Sequence, residues 1–406
     1  MNRKKIKENL ELKTLKMEHL SQFNELLRYA FQVTSKELMN VGWNVDEIRQ
    51  AKSPILKKAD VIGWFDNEKL VSQVAVYPMK INMHGKIYNM GGMTGVATYP
   101  EYANFGLMKK LISTALVSMK ERGQTISYLY PYSIPYYRRK GWEIISDKMT
   151  FVVKDYQLPK YVEVPGMVER VPVEAEDFEN VYNEFAKTRH GALIRDNLAW
   201  EEYFRWDTDD IIGAIYYNEN KEPMGYLCYY IEKEIFHVKE MVFLNEEARN
   251  GMWNYISAHF SMVKEVRGAN YTSEPLAFFL DDGEIEEKIR PYYMGRIVDL
   301  ENFIKDYPFA LCPKDLKINF IIKDPLMECN NGDFSLAFDD NEDTVFKKEK
   351  DGEPCEIDIQ TLTTMLLSYK RPTYLRRIGR IKASDKVIKM LEKMIPQETA
   401  YFSDYF

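Results

Sequence analysis

The sequence predicts an α+β protein, and three observations carry that reading. At about 150 residues per domain, 406 residues make two or three domains rather than one. Apolar runs of strand length alternate with stretches whose apolar residues repeat every 3.6 positions. The order of several antiparallel strands, then strand, helix, strand, recurs along the chain. Hydrophobic residues at 45% and charged residues at 29% suit globular cores and exclude wholesale disorder. With 55 Lys and Arg against 62 Asp and Glu, the net charge of −7 disfavours a polyanion and fits a cationic or amine-bearing partner.

Each element follows in order. Phe23, Leu26, Leu27, Ala30 and Phe31 give one face of a helix within 20–38. Val61 to Phe65 and Leu70 to Val76, separated by Asp66 to Lys69, form a hairpin. Lys80 to Met83 turns through His84 and Gly85 into Ile87 to Met90, and Met93 to Thr98 is a further strand. Leu107, Met108, Leu111, Ile112, Ala115, Leu116 and Met119 mark a helix that Gly123 can stop. Ser127 to Tyr130 is extended, Ile134 to Arg139 a helical turn, and Trp142 to Val153 largely extended.

A fainter second copy follows: Ile211 to Gly213 open a strand, Asn218 to Lys221 make a hairpin loop, and Lys239 to Leu244 ends before a helix near Asn250. Acidic Glu246 and Glu247 occupy its strand-to-helix loop, where a phosphate would meet carboxylates. A third unit begins near Arg296. It contains strands at Leu316 to Ile322 and Phe334 to Phe338, a turn at Asn330 to Asp333, and helices at 362–369 and 383–394. The division is 1–153, 154–295 and 296–406. Four aromatics in the last six residues argue against a frayed tail.

No apolar stretch reaches the roughly 18 residues of a membrane span, and the basic start lacks a leader's apolar core, so the expected location is cytoplasmic. Cys228, Cys312, Cys329 and Cys355 never form a C-x-x-C pair and are expected to be buried and reduced. The five histidines lack zinc spacing, so no metal is expected.

The stretch with most chemistry is Gly95 to Lys109. A strand ending at an open edge, a turn with Pro100 and a helix opened by Gly106 aim free backbone N–H groups at one point, which suits a pyrophosphate. Val96 and Pro100, with Gly106 in register, resemble the phosphate loop of GNAT acetyl-CoA-dependent N-acetyltransferases, R/Q-x-x-G-x-G/A after V-x-x-x-P. Ala103 stands where Arg or Gln is expected and Met108 where Gly or Ala is expected. Over the whole chain the markers are Val96 to Tyr102, Tyr136 to Trp142, Arg296 to Asp299 leading to Tyr307 to Phe309, and the final Asp404, Tyr405, Phe406. Together they resemble the Eis (enhanced intracellular survival) family: two tandem GNAT (acyl-CoA N-acyltransferase) domains followed by a sterol-carrier-protein-like α/β domain that delivers the C-terminus to the active site.

That resemblance implies acyl transfer from acetyl-CoA to a primary amine of a polyamine- or aminoglycoside-like molecule, or of a lysine. Backbone groups of Val96, Ala97 and Thr98 are assigned to the extended arm and carbonyl of the thioester. Asn104, Phe105, Gly106, Leu107, Met108 and Lys109 face its phosphates, with Tyr132 and Ser133 completing the cofactor set. Tyr137 aligns with the family's tyrosine acid, Tyr136 being the second choice, and the α-carboxylate of Phe406 is the implied base. The family's hexamers imply a homo-oligomer. Two other readings are a non-catalytic CoA- or lipid-binding module, motivated by Ala103 and Met108, and an aminoacyl transferase using charged tRNA, which the acidic balance disfavours.

Overall fold

Three sheets organise the chain, seen in a computed structural model that describes residues 8–40, 44–50, 52–204, 211–272 and 274–406. The first has strand order Leu10–Thr14, Asp60–Asp66, Lys69–Met83, Lys86–Thr98, Ile126–Leu129, Met294–Ile297, Glu143–Ile144, with Leu193–Ile194 added to Lys69–Met83. The second runs Glu286–Pro291, Asp147–Lys154, Glu265–Asn270, Ile235–Phe243, Pro223–Glu232, Ile212–Tyr217, Met167–Val171. The third comprises Thr344–Lys347, Gly332–Phe338, Ile318–Lys323, Glu353–Asp358 and Ile381–Ala383.

The first two sheets repeat one plan. Three antiparallel strands lead to a parallel pair, Lys86–Thr98 with Ile126–Leu129 in one and Ile235–Phe243 with Glu265–Asn270 in the other. The next strand in each sheet comes from the other half of the chain: Met294–Ile297 pairs with Ile126–Leu129, and Asp147–Lys154 pairs with Glu265–Asn270. The two units thus exchange strands across the positions 153/154 and 295/296.

Alternation sets the layers of the first sheet. Val74, Val76 and Met93 pack with Leu111, Ile112, Ala115 and Leu116 of the helix Leu107–Glu121. Val61, Ala75 and Tyr77 point to the opposite face and pack with Phe23, Leu26 and Leu27 of the helix Leu20–Ala30. The third domain closes over this second face, and its apolar residues join the same core through to Phe402 and Phe406. Thr364 Oγ1 donates to the Ile144 carbonyl at 2.7 Å, and the Ile297 amide donates to Thr363 Oγ1 at 3.0 Å.

Several local expectations change. The apolar stripe after Leu20 is two helices, Leu20–Ala30 and Ser35–Asn40. Gln32 takes a left-handed φ of 58°, and Thr34 and Glu37 form a reciprocal cap that starts the second helix. The segments read as separate strands before and after His84 are two long strands, Lys69–Met83 and Lys86–Thr98, joined by one tight turn. Cys228 and Cys355 are buried, whereas Cys312 is half-buried and Cys329 exposed; none is in a disulfide. The Arg380 guanidinium donates to Glu143 at 2.5 Å and ties the third domain to the first sheet.

Candidate active site

The parallel pairing in the first sheet is short. Met90, Gly91 and Gly92 face Ile126, Ser127 and Tyr128, and there the pairing ends. Ser127 Oγ donates to the Gly91 carbonyl at 2.8 Å and closes the paired end. From Met93 onward, Lys86–Thr98 keeps only its partner Lys69–Met83, across a bulge opposite Val74. Val96, Ala97 and Thr98 lie on this splayed length. Ala97 and Thr98 pair with Gln73 and Ser72 on one side, and the other edge has no strand partner among the described residues. Peptide groups there can satisfy themselves on an extended chain of amides.

At the open end, Pro100–Tyr102 forms a single turn, Asn104 takes φ 64°, and Gly106 takes φ 77° as the residue before the helix Leu107–Glu121. No side chain caps this helix. The Lys110 amide is the first to bond back, to the Gly106 carbonyl at 3.2 Å, so the preceding amides of the first turn stay available. A Cβ at Gly106 would point into open space. Two left-handed residues, Asn104 and Gly106, flanking Phe105 before an uncapped N-terminus turn backbone N–H groups toward one side, the geometry that receives a phosphate. Asn104, Gly106 and Lys109 are exposed, Phe105 and Met108 half-buried, and Leu107 buried.

Two cations that the sequence reading did not assign stand near this mouth. Lys140 lies over the Tyr136 ring at 3.9 Å, and burial, then the charges of Arg139 and Lys109, lower its ammonium from the usual lysine range. Tyr136, Met108 and Val96 pack against the same core cluster, and Lys140 lies within reach of the charges of Arg139 and Lys109. Their residue types were visible in the run 136–142, but their approach to Lys109 depends on tertiary placement.

Tyr137 sits on the helix Ile134–Arg138, started by Pro135. It is 6% exposed and packs with Met93, Leu111 and Trp142. Burial, with a smaller contribution from Tyr136, pushes its phenol above the ordinary tyrosine range. Such a group holds its proton at neutral pH. Ser133 precedes the helix and its carbonyl accepts from the Tyr136 amide at 3.1 Å and from the Tyr137 amide at 3.3 Å. Tyr132 is 82% exposed beside it.

Phe406 lies on the other face. It is 9% exposed, with its ring 5.4 Å from that of Tyr293 and 6.1 Å from that of Tyr77. A Cβ on Gly92, the last paired residue, would come 2.9 Å from the Phe406 ring and 3.0 Å from Met79 Sδ. Gly92 is therefore the floor on which the final residue rests. The Phe406 amide donates to Tyr293 Oη at 3.1 Å. Since Gly92 faces Phe406 and the next residue, Met93, faces Tyr137, the two candidate proton carriers flank the splay from opposite faces. Tyr128, opposite Gly92, is fully buried with its hydroxyl unbonded among the described residues, a feature with no signature in the sequence.

His84 and His190 lie away from the splay, as a stacked pair with ring centroids 3.5 Å apart. In the second sheet the equivalent loop is closed to anions, because Asn245 caps its helix by accepting from the Ala248 amide at 2.8 Å and Glu246 and Glu247 fill the first turn. Among the described residues no group of three or more His, Cys, Asp or Glu could hold a metal, and no helix is long and apolar enough to cross a membrane.

Comparison with known proteins agrees with this architecture. Residues 11–145 match one acetyltransferase (GNAT) domain family, 191–297 a second, and 300–403 the sterol carrier protein domain. The solved structure of a protein of unknown function from Enterococcus faecalis, described as a probable N-acyltransferase, is 26% identical, covers 98% of this chain and 99% of its own, and superposes with a TM-score of 0.89. The chain carries two GNAT domains and a sterol carrier protein domain in an Eis-like architecture. The fold of this GNAT protein is shared with Eis1 from Mycobacterium abscessus, at 16% identity and a TM-score of 0.80 over 98% of this chain and 100% of that one. An uncharacterised N-acetyltransferase of Streptomyces avermitilis is 22% identical over 254 residues, which span 57% of this chain and 61% of that relative.

Proposed function

We propose that this GNAT protein transfers the acetyl group of acetyl-CoA to a primary amine of a cationic small molecule, polyamine- or aminoglycoside-like, or of a lysine. One observation carries the reading: the splay of the first sheet opens beside an uncapped, Gly106-led helix, with Tyr137 on one face and Phe406 on the other. The extended arm of the cosubstrate takes the free edge at Val96, Ala97 and Thr98, and those peptide groups polarise the thioester carbonyl. Its phosphates take the amides from Asn104 to Lys109, with Lys109, Arg139 and Lys140 supplying the charge that Ala103 does not. Tyr132 and Ser133 border the same mouth.

The amine attacks as the free base. A new C–N bond forms as the C–S bond breaks; the amine's proton goes to the carboxylate of Phe406 and the departing sulfur takes one from Tyr137. The net charge of −7 favours cationic acceptors. The companion proposals are a cytoplasmic location and a homo-oligomer, a hexamer on the family pattern, for which light scattering after gel filtration is the test.

Free-thiol release from acetyl-CoA over a panel of polyamines, aminoglycosides and lysine peptides tests the proposal. Turnover with at least one amine is expected. Absence of turnover with every amine, together with tight acetyl-CoA binding, favours the non-catalytic CoA-binding reading instead.

A further inference from the structure

The second GNAT unit lacks an anion loop, yet it contains a buried, densely bonded ionic cluster. Arg195 follows Leu193–Ile194, and Glu240 lies on Ile235–Phe243 beyond the last parallel pair of the second sheet. Arg195 donates through Nη1 and Nη2 to the two oxygens of Glu240 at 3.0 and 2.8 Å, and through Nε to Asp404 at 2.7 Å. Its side chain is 0% exposed, against 2% for that of Glu240 and 4% for that of Asp404. The guanidinium also lies over Tyr182, Tyr203 and Trp200, at 3.8, 4.1 and 4.5 Å from their ring centres.

Tyr226 Oη donates to Glu240 at 2.6 Å within the second unit, and three further contacts bear on the last residues of the chain. Ser403 Oγ donates to Glu240 at 3.1 Å, Tyr182 Oη to Asp404 at 3.2 Å, and Tyr292 Oη to the Asp404 carbonyl at 2.8 Å. Two residues later the Phe406 amide is held by Tyr293. A buried pair of this kind adds little net stability over an apolar substitute, since desolvation offsets attraction, but it fixes geometry through directional bonds.

We infer that Arg195 and Glu240 form a positioning pair, through which the second GNAT unit sets the register of Ser403 and Asp404 and so the place of the Phe406 carboxylate at the first unit's splay. The inference rests on the reading of that carboxylate as the base. It gives the second unit, which has no phosphate loop of its own, a part in the reaction. Arg195 touches no reacting atom; it acts through Asp404. Because a displacement of about 1 Å in a catalytic group can cost about 10²-fold in rate, loosening this tether should be read in kcat.

The test compares four proteins: the parent chain, the chain with two residues appended after Phe406, Asp404→Ala and Arg195→Lys. Asp404→Ala leaves Arg195 paired with Glu240, so the core charge stays partnered, and thermal unfolding confirms that the variant folds. The expected result has three parts. The extended chain loses turnover. Asp404→Ala loses on the order of 10²-fold in kcat while its KM for acetyl-CoA stays within about twofold. Arg195→Lys, which keeps the charge but not the three-bond fork, falls between. If the extended chain is dead while folded Asp404→Ala keeps kcat within about twofold of the parent, the positioning role is overturned and the carboxylate reading stands. If the extended chain turns over normally, the carboxylate reading falls and the positioning role falls with it.

Discussion

On the proposed reading, Tyr137 as acid and the Phe406 carboxylate as base have opposite chemical problems that one fold addresses. A phenol is a useful acid only while it keeps its proton, and the burial that raises Tyr137 above the ordinary range ensures this at neutral pH. A carboxylate is a weak base in water, and Phe406 sits among Tyr77, Tyr293 and Phe402 where water is largely displaced. Tyr137→Phe keeps the packing against Trp142 and Met93 and removes only the proton. It should lower kcat on the order of 10²-fold with KM for acetyl-CoA little changed, measured by thiol release. Since the raised phenol stays protonated well into the alkaline range, the parent should show no loss of kcat from this group between about pH 7 and 9.

At the level of elements, the short parallel pairing sets where the first sheet opens. Gly92 ends the pairing and accepts Phe406 on its bare α-carbon, so Gly92→Ala pushes the ring away with contacts of 2.9 and 3.0 Å to relieve. We expect kcat to fall roughly tenfold while acetyl-CoA binding by calorimetry is retained. The turn joining the two long strands has its own test. His84, in the left-handed region with φ 47°, stacks on fully buried His190, and burial lowers the His84 imidazole from 6.5 to about 4. The His190 carbonyl receives the Tyr401 amide at 2.8 Å, and its ring nitrogen contacts the Leu367 carbonyl at 3.2 Å. Protonation favours the unfolded chain. The contribution of His84 is therefore complete above pH 6.5 and is lost as pH falls toward about 4. His84→Asn, which tolerates a positive φ, should narrow the drop in unfolding temperature between pH 7 and pH 5; an unchanged drop would count against the pair.

These elements were legible in the sequence to different degrees. Apolar periodicity located the helix Leu107–Glu121 and the hairpin before it, because each buries one face locally. The pattern around Gly106 marked the uncapped helix start, since its positive φ is a property of the chain itself. What the sequence could not show is set by distant partners. The insertion of Met294–Ile297 beside Ile126–Leu129, the approach of Lys140 toward Lys109, and the socket of Arg195 and Glu240 for Asp404 all join residues far apart in the chain. A lone Arg195 after a short apolar run carries no mark of its partners.

As a whole molecule, the protein is two copies of one plan that divide the work. The strand exchange, with Asp147–Lys154 in one sheet and Met294–Ile297 in the other, fastens the copies together, and the third domain covers the face onto which Phe406 is delivered. Only the first copy keeps an open helix start; the second closes its own with Asn245, Glu246 and Glu247. On the proposed reading a single splay, the first, receives acetyl-CoA. Calorimetric titration of acetyl-CoA into the parent and into Gly106→Glu, which places a carboxylate in the proposed phosphate cradle, tests this. One acetyl-CoA per chain is expected for the parent and none for Gly106→Glu; two per chain, or binding that survives Gly106→Glu, would overturn the reading.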